Sequence, residues 1–419
     1  MKTFAIMTLG CKVNDYESAY VKNKLSEEYE MVDFKEKSDI YIIFSCCVTN
    51  TAEAKTRKFI HQARRRNPQA YIVVVGCLVQ IKPELPDLKD VDLLIGSSHK
   101  DRIVDYIRSG LKANMVEDLK ESSFEFLPLD KYPGKDRAFL KIEDGCNQFC
   151  SYCVIPYSRG RERSARHEDI LSEAKKLAEN YCEIVLTGIH TGRYNDNGYN
   201  LYNLLCDLVK IEKLKTIRLS SIEINEISDD ILNLMVNNKK IARHLHIPVQ
   251  ALSDKVLKLM NRPYTIEEYK DRINYIRSLM SEISISADLI VGFPGEDEIT
   301  YRNSLKELDD IKFSFLHIFP YSRKTGTRAD KMDGHLDEAV KKERLKEIQK
   351  IEKQYTENYY RSFISKTVEV LVEKNEDNKS YGYSKEYVYI EVDGVYPCGE
   401  IINVKIESVI NDRVVGVCC

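Results

Sequence analysis

The sequence predicts an α/β protein in three parts: an N-terminal parallel α/β domain, a central partial (β/α)6 barrel and a small C-terminal antiparallel β-barrel. Three observations predict it. Short β-branched apolar runs alternate with helix-like stretches over residues 1–120, the same alternation resumes over 137–335, and short alternating strands fill residues 365–419. A chain of 419 residues is also longer than one hydrophobic core usually serves.

In the first part, "FAIMTLG", "DIYIIFS" and "YIVVVG" read as buried parallel strands, and "NDYESAYVKNKLSEE" and "TAEAKTRKFIHQARRR" as the helices between them. "ESSFEFLPLDKYPGKD", residues 121–136, has two prolines, a glycine and no period, and reads as a linker. Six strand candidates follow: "AFLKIEDG", "CEIVLTG", "TIRLSS", "HLHIPV", "ISISADLIVGF" and "FSFLHIFPY". Six strands with helices between them suggest a partial barrel whose site lies at the strands' carboxyl ends. The charged stretch 336–364 is a helical connection. After it, "TVEVLVEK", "YVYIEV", "GEIINVKIESVI" and "RVVGVCC" alternate as in a small closed barrel.

No apolar run approaches the roughly 20 residues of a membrane-spanning helix, and "MKTFAIMTLG" lacks the apolar stretch of a secretory signal. A cytoplasmic location with no membrane partner is expected. Twelve cysteines in such a chain then point to metal binding or catalysis rather than disulfides. The net charge of −3 is too nearly balanced to indicate nucleic acid, so local charge must carry that argument.

Each of the first three strands runs directly into a cysteine: Cys11, Cys46 and Cys77. The carboxyl ends of parallel strands share one edge, where open α/β sheets bind ligands, so these three thiols are predicted to converge. The competing reading is three buried core thiols. Cys47 follows Cys46, and strand alternation would turn only one of that pair into the site. A second group, Cys146, Cys150 and Cys153, has the spacing C-x3-C-x2-C just after the first barrel strand. Structural zinc wants four ligands, usually as two paired knuckles, and no second C-x2-C follows. A [4Fe–4S] cluster on three thiolates suits the spacing better and leaves one iron open to a substrate or cofactor.

C-x3-C-x2-C with Tyr152 before the last cysteine resembles the radical S-adenosylmethionine superfamily. The resemblance implies that the cofactor's amino and carboxylate groups chelate the open iron, and that its cleavage yields a 5′-deoxyadenosyl radical. In order along the chain, "TLGCKVN", "SCCVTNTAEAKTRK", "VVVGCLVQ", "FLKIEDGCNQFCSYCVIPYSRGRERSAR", "LTGIHTG", "RLSSIEI", "HLHIPVQ", "MNRPYT", "ADLIVGFPGE" and "FPYSRKTGT" resemble the methylthiotransferases. That likeness implies two [4Fe–4S] clusters, the second on Cys11, Cys46 and Cys77, with S-adenosylmethionine as methyl donor and radical source. It further implies a C-terminal TRAM-like RNA-binding barrel, a tRNA substrate, and a low-potential electron donor such as flavodoxin or ferredoxin. "TLGCKVN" is similar to the branch that modifies N6-threonylcarbamoyladenosine next to the anticodon; the isopentenyladenosine and ribosomal-protein branches more often read "GCxMN". Phe44, Cys47, Asn225 and the pair Ala251-Leu252 depart from the family's usual residues.

Tyr152, Thr187, Gly188 and Gln250 are the expected cofactor contacts, although "LTGIHTG" alone is also an ordinary β-to-α turn. For RNA, Arg64, Arg65 and Arg66 crowd one helix with Lys55, Arg57 and Lys58, and Arg159, Arg161 and Arg163 follow the cysteine motif. Basic side chains grip phosphate without reading sequence, and a solvated helix face is the competing reading. The last part holds ten Asp/Glu against six Lys/Arg, so RNA binding there needs a local face with Lys379, Lys385 and tyrosines such as Tyr381 or Tyr383. A reading of another class, an RNA-binding protein with structural metal and no catalysis, stands beside the enzyme.

Overall fold

The computed structural model describes residues 2–85, 88–129, 131, 132 and 134–419. Asp130 and Pro133 of the expected linker lie outside the described residues. The N-terminal part is a six-stranded, all-parallel sheet. Its three central strands, Thr3–Thr8, Ile40–Ser45 and Tyr71–Gly76, are the ones the sequence marks. Glu30–Met31, Leu93–Ile95 and Ala113–Met115 complete it. These three are too short to show a period, and pairing with a formed neighbour defines them.

The central part holds six parallel strands, as expected. Ala138–Lys141, Glu183–Thr187 and Thr216–Leu219 form one sheet, and His244–His246, Ser284–Val291 and Phe315–Pro320 the next. Isolated bridges from Ile217 to Ile241 and from Ser221 to His246 join the two into one open barrel. Leu140, Ile184, Leu186, Leu245 and Ile285 face the outer helices in the largest apolar cluster. Their alternates line the barrel interior and are mostly polar: Lys141, Arg218, His244, His246, Ser286 and Asp288. A polar barrel interior is a site rather than a core.

The helix Lys12–Leu25 of the N-terminal part closes the open side of this barrel. Its Tyr16 and Ala19 pack on Phe139 and Val185, together with Leu127, Leu129 and Tyr132 of the connecting segment. After the helix Glu338–Arg361, the last residues form a closed five-stranded barrel, Thr367–Glu376, Lys379–Ser384, Tyr389–Asp393, Arg413–Cys418 and Ile401–Ile410 in spatial order. The sequence reading missed Lys379–Ser384. Its turn residues and tyrosines hide an alternation of buried Ser380 and Ser384 with half-buried Tyr381 and Tyr383. The loop after it plugs the bottom of the central barrel. Arg218 donates to the carbonyls of Ser384 (3.1 Å) and Lys385 (3.2 Å), and Tyr387 stacks on His244 at 4.5 Å. No helix among the described residues is long and apolar enough to cross a membrane.

Candidate active site

Cys11, Cys46 and Cys77 leave three adjacent strands at one sheet edge. Gly10 and Gly76 both adopt φ of 102°, a conformation that glycine reaches without strain. Each glycine turns the chain so that the next cysteine opens a helix, Lys12–Leu25 or Cys77–Ile81. The Cys11 sulfur receives the N–H groups of Val13 and Asn14 there. The three thiols perturb one another electrostatically, which places them in one group. Cys47 is not turned away: its thiol donates to that of Cys77, because both cysteines of the pair lie beyond the strand's last residue, Ser45, and alternation no longer applies.

Cys146, Cys150 and Cys153 form the second group and likewise act on one another. Each sulfur has a donor at hand. Gln148 N–H lies 3.4 Å from Cys146 Sγ, Ile155 N–H 3.5 Å from Cys153 Sγ, and the Arg262 guanidinium 3.5 Å from Cys150 Sγ. Arg262 is anchored in turn by Glu223 and by Tyr264 Oη. His190 Nδ1 lies 3.5 Å from Cys146 Sγ and 3.1 Å from Glu162, and its Nε2 lies 2.9 Å from Glu226. Those hydrogen bonds outweigh burial and push the imidazole up to about 12. Beneath it, Glu143 accepts the His190 N–H at 2.6 Å, and burial raises its carboxyl to about 8. Cys146, Glu162 and His190 offer ligand atoms within 4.8 Å of one another, but the carboxylates on His190 make it a support for the sulfur. Three thiols per group, each met by donors that suit anionic sulfur, fit a three-thiolate cluster with a free corner.

Arg159, from the central part, reaches the N-terminal group. It is fully buried, and its Nε donates to Cys77 Sγ at 3.2 Å while Nη1 reaches Glu17 (2.6 Å) and Nη2 reaches Asn14 (2.6 Å). Lys100, Lys141 and Asp144 complete this buried network. The Cys47 hydrogen bond and the Arg159 charge overcome burial and bring Cys77 down to about 5, whereas burial lifts Cys46 to about 11 and Cys153 to about 12. A cavity of about 260 Å³ lies beside Cys153, walled by Val48 and Thr49 of the N-terminal part and by Tyr152, Cys153, Gln250 and Asp288 of the central part.

Of the expected cofactor contacts, Tyr152 and Gln250 therefore share one cavity. Thr187 is turned inward: its hydroxyl donates to Val185 O and its carbonyl accepts from Ile142 N–H. Gly188 packs against Glu143, whose Oε2 would stand 2.9 Å from an added Cβ.

The basic residues divide. Arg159 is no surface residue, contrary to its expected grip on RNA, because its charge is matched inside by Glu17 and Asp144. Arg163 bends back onto the carbonyls of Arg159 and Arg161. Arg64 is spent on Pro68, Ala70 and Asp90 carbonyls and on Asp92, and Arg66 lies over the Phe34 ring. Arg65 and Arg161 remain exposed, Arg161 over the Phe149 ring at 4.6 Å. In the last barrel, Lys379 pairs with Glu391 and Lys385 with Glu369, and Tyr383 lies under Arg137, so the expected cationic face is neutralised. Sequence reasoning also passed over Lys12, His190 and Arg262; all three stand inside quoted motifs, "TLGCKVN", "LTGIHTG" and "MNRPYT", and only their place in the fold marks them.

Two family models match: the Radical SAM superfamily over residues 140–308 and Uncharacterized protein family UPF0004 over residues 3–96. The chain is 38% identical to the threonylcarbamoyladenosine tRNA methylthiotransferase MtaB of Bacillus subtilis (strain 168), over 97% of this chain and 94% of that one. It is 35% identical to a tRNA-2-methylthio-N(6)-dimethylallyladenosine synthase of Thermodesulfovibrio yellowstonii, over 96% and 95%. Among solved structures, the radical S-adenosylmethionine methyltransferase TsrM of Kitasatospora setae shares the fold, with a TM-score of 0.57, 13% identity, and 78% of this chain and 77% of that one covered.

Proposed function

The chain belongs to the tRNA methylthiotransferases of the radical S-adenosylmethionine superfamily, and from that premise we propose that it methylthiolates C2 of N6-threonylcarbamoyladenosine next to the anticodon of tRNA. It is an enzyme that uses two [4Fe–4S] clusters and S-adenosylmethionine. The observation that supports this reading is a pair of three-cysteine groups, one in each half of the chain, with a cavity at Cys153 that Val48 and Thr49, just past Cys46 and Cys47, also wall. We assign Cys146, Cys150 and Cys153 to the cluster that takes S-adenosylmethionine, and Cys11, Cys46 and Cys77 to the second. Bound there, these groups supply the one-electron chemistry that a weakly acidic C2–H bond demands, which side-chain bases do not.

The chain's own residues do the holding. Arg262, His190 and Arg159 donate toward Cys150, Cys146 and Cys77 and fix the sulfurs' orientation. Tyr152 and Gln250 wall the space where cofactor and base meet. Arg65 and Arg161 are the assigned phosphate contacts. We divide the chain into 1–120 for the second cluster, a connection at 121–136, 137–335 for radical chemistry, a helical join at 336–364 and a TRAM-like barrel at 365–419. A cytoplasmic setting and a flavodoxin- or ferredoxin-type donor complete the reading.

Mass spectrometry of tRNA nucleosides from a deletion strain tests the function. Loss of the 2-methylthio form of threonylcarbamoyladenosine is expected; its persistence, with loss of the methylthio dimethylallyl nucleoside instead, would assign the chain to the other branch. A second expected result concerns Gly10→Ala. The added Cβ would stand 3.0 Å from both Cβ and Sγ of Cys46, at a φ that alanine resists. Iron after anaerobic reconstitution should fall from about eight to about four per chain, while 5′-deoxyadenosine is still formed.

A further inference from the structure

Beside the N-terminal cysteine group lies a second cavity, of about 280 Å³, walled by Lys12, Lys135, Arg137, Arg218, Glu373 and Tyr387. Most of its charges are already matched. Lys135 pairs with Asp15 at 3.4 Å, Arg137 with Glu183 and Glu373, and Arg218 with Glu183 at 2.9 Å. Asp136 stands at the same wall. Lys12 and Asp136 are different: among the described residues neither has an ion pair or side-chain hydrogen bond, burial raises the Asp136 carboxyl, and Lys12 is the one cation of this wall left unmatched, with its side chain exposed. An ammonium group left without a counterion in a partly desolvated chamber marks a place for an anion.

Lys12 also follows Cys11 directly, so its side chain starts about 3.8 Å along the backbone from a ligand of the second cluster. The substrate's chemistry meets it there. In a purine, C2 and the carbon bearing N6 are both bonded to ring N1, so a base whose C2 approaches the second cluster brings its N6 substituent within a side-chain length. A threonylcarbamoyl group ends in a carboxylate; a dimethylallyl group carries no charge. We propose that Lys12 binds the carboxylate of the threonylcarbamoyl group in this cavity and so selects that nucleotide over neutral N6-modified adenosines. This rests on the function proposed above and deepens it.

The test uses full-length reconstituted protein and anticodon stem-loop RNAs carrying the free acid, its methyl ester or N6-dimethylallyladenosine. For the wild type, the acid should bind at least about tenfold more tightly than the ester, as a charge-assisted hydrogen bond to a carboxylate implies. Lys12→Met should erase that ratio without weakening ester binding, and Lys12→Arg should keep most of it. Equal affinities for acid and ester in the wild type would overturn the proposal, with no variant needed. An equal loss on acid and ester in Lys12→Met would overturn it too. The function is read separately, from the 2-methylthio product made by the wild type. No product with the acid preference intact would sink the function alone, and product without the preference would sink the carboxylate site alone.

Discussion

Cys150→Ala should abolish reductive cleavage of S-adenosylmethionine, while Cys77→Ala should retain measurable cleavage and yet insert no sulfur. The expectation follows from the division of the six thiols. Cys150 accepts from Arg262 in the group assigned above to the cofactor's cluster, so its loss would remove one of that cluster's proposed ligands. Cys77 follows the strand Tyr71–Gly76 of the N-terminal sheet and belongs to the group assigned to the second cluster, so its loss should leave cofactor cleavage largely in place. Chromatography of 5′-deoxyadenosine and mass spectrometry of the RNA read the two steps independently. Complete loss of cleavage in both variants would contradict separate roles.

Arg159→Met should cost about 3–5 kcal/mol of stability in the metal-free chain, the range for breaking a buried charge pair from one side. The guanidinium is fully buried and simultaneously serves Cys77, Glu17, Asn14 and Asp144. Removing it leaves carboxylates inside the junction of the two halves with fewer partners. Arg159→Lys keeps the charge but not the planar fork, so it should recover only part. The shift of the thermal midpoint measures this, and a cost below about 1 kcal/mol would show that the remaining lysines suffice. The same network sets an acid limit. Burial works to raise the Glu17 carboxyl, but Arg159, Lys100 and Lys141 hold it down at about 2 against an ordinary 4.5. A lowered carboxyl contributes its stability above the unfolded value, so this contribution is present above about 4.5 and fades as pH falls toward about 2.

The convergence of Cys11, Cys46 and Cys77 was legible because parallel strands oblige it: each cysteine follows a run that has no other good reading than a buried strand. The six central strands were legible for the same reason. Arg159 was not. "SRGRERS" has the local composition of a solvated basic run, and what buries its first arginine is Glu17, 142 positions earlier. The role of Lys12 was hidden by the same kind of distance, since its wall is built from Arg137, Arg218 and Glu373 on other parts of the chain. Cys47 was misjudged because a period-two rule was extended one residue past the strand's end. Charges and thiols take their meaning from long-range partners, whereas strands announce themselves locally.

If the six thiols form two independent three-ligand groups, each should load iron without the other. Iron and sulfide counted after anaerobic reconstitution test it most directly. About eight of each per wild-type chain are expected, and about four when Cys11, Cys46 and Cys77 are all replaced by alanine or, separately, when Cys146, Cys150 and Cys153 are. About four in the wild type, or an empty chain after replacing either group alone, would contradict it.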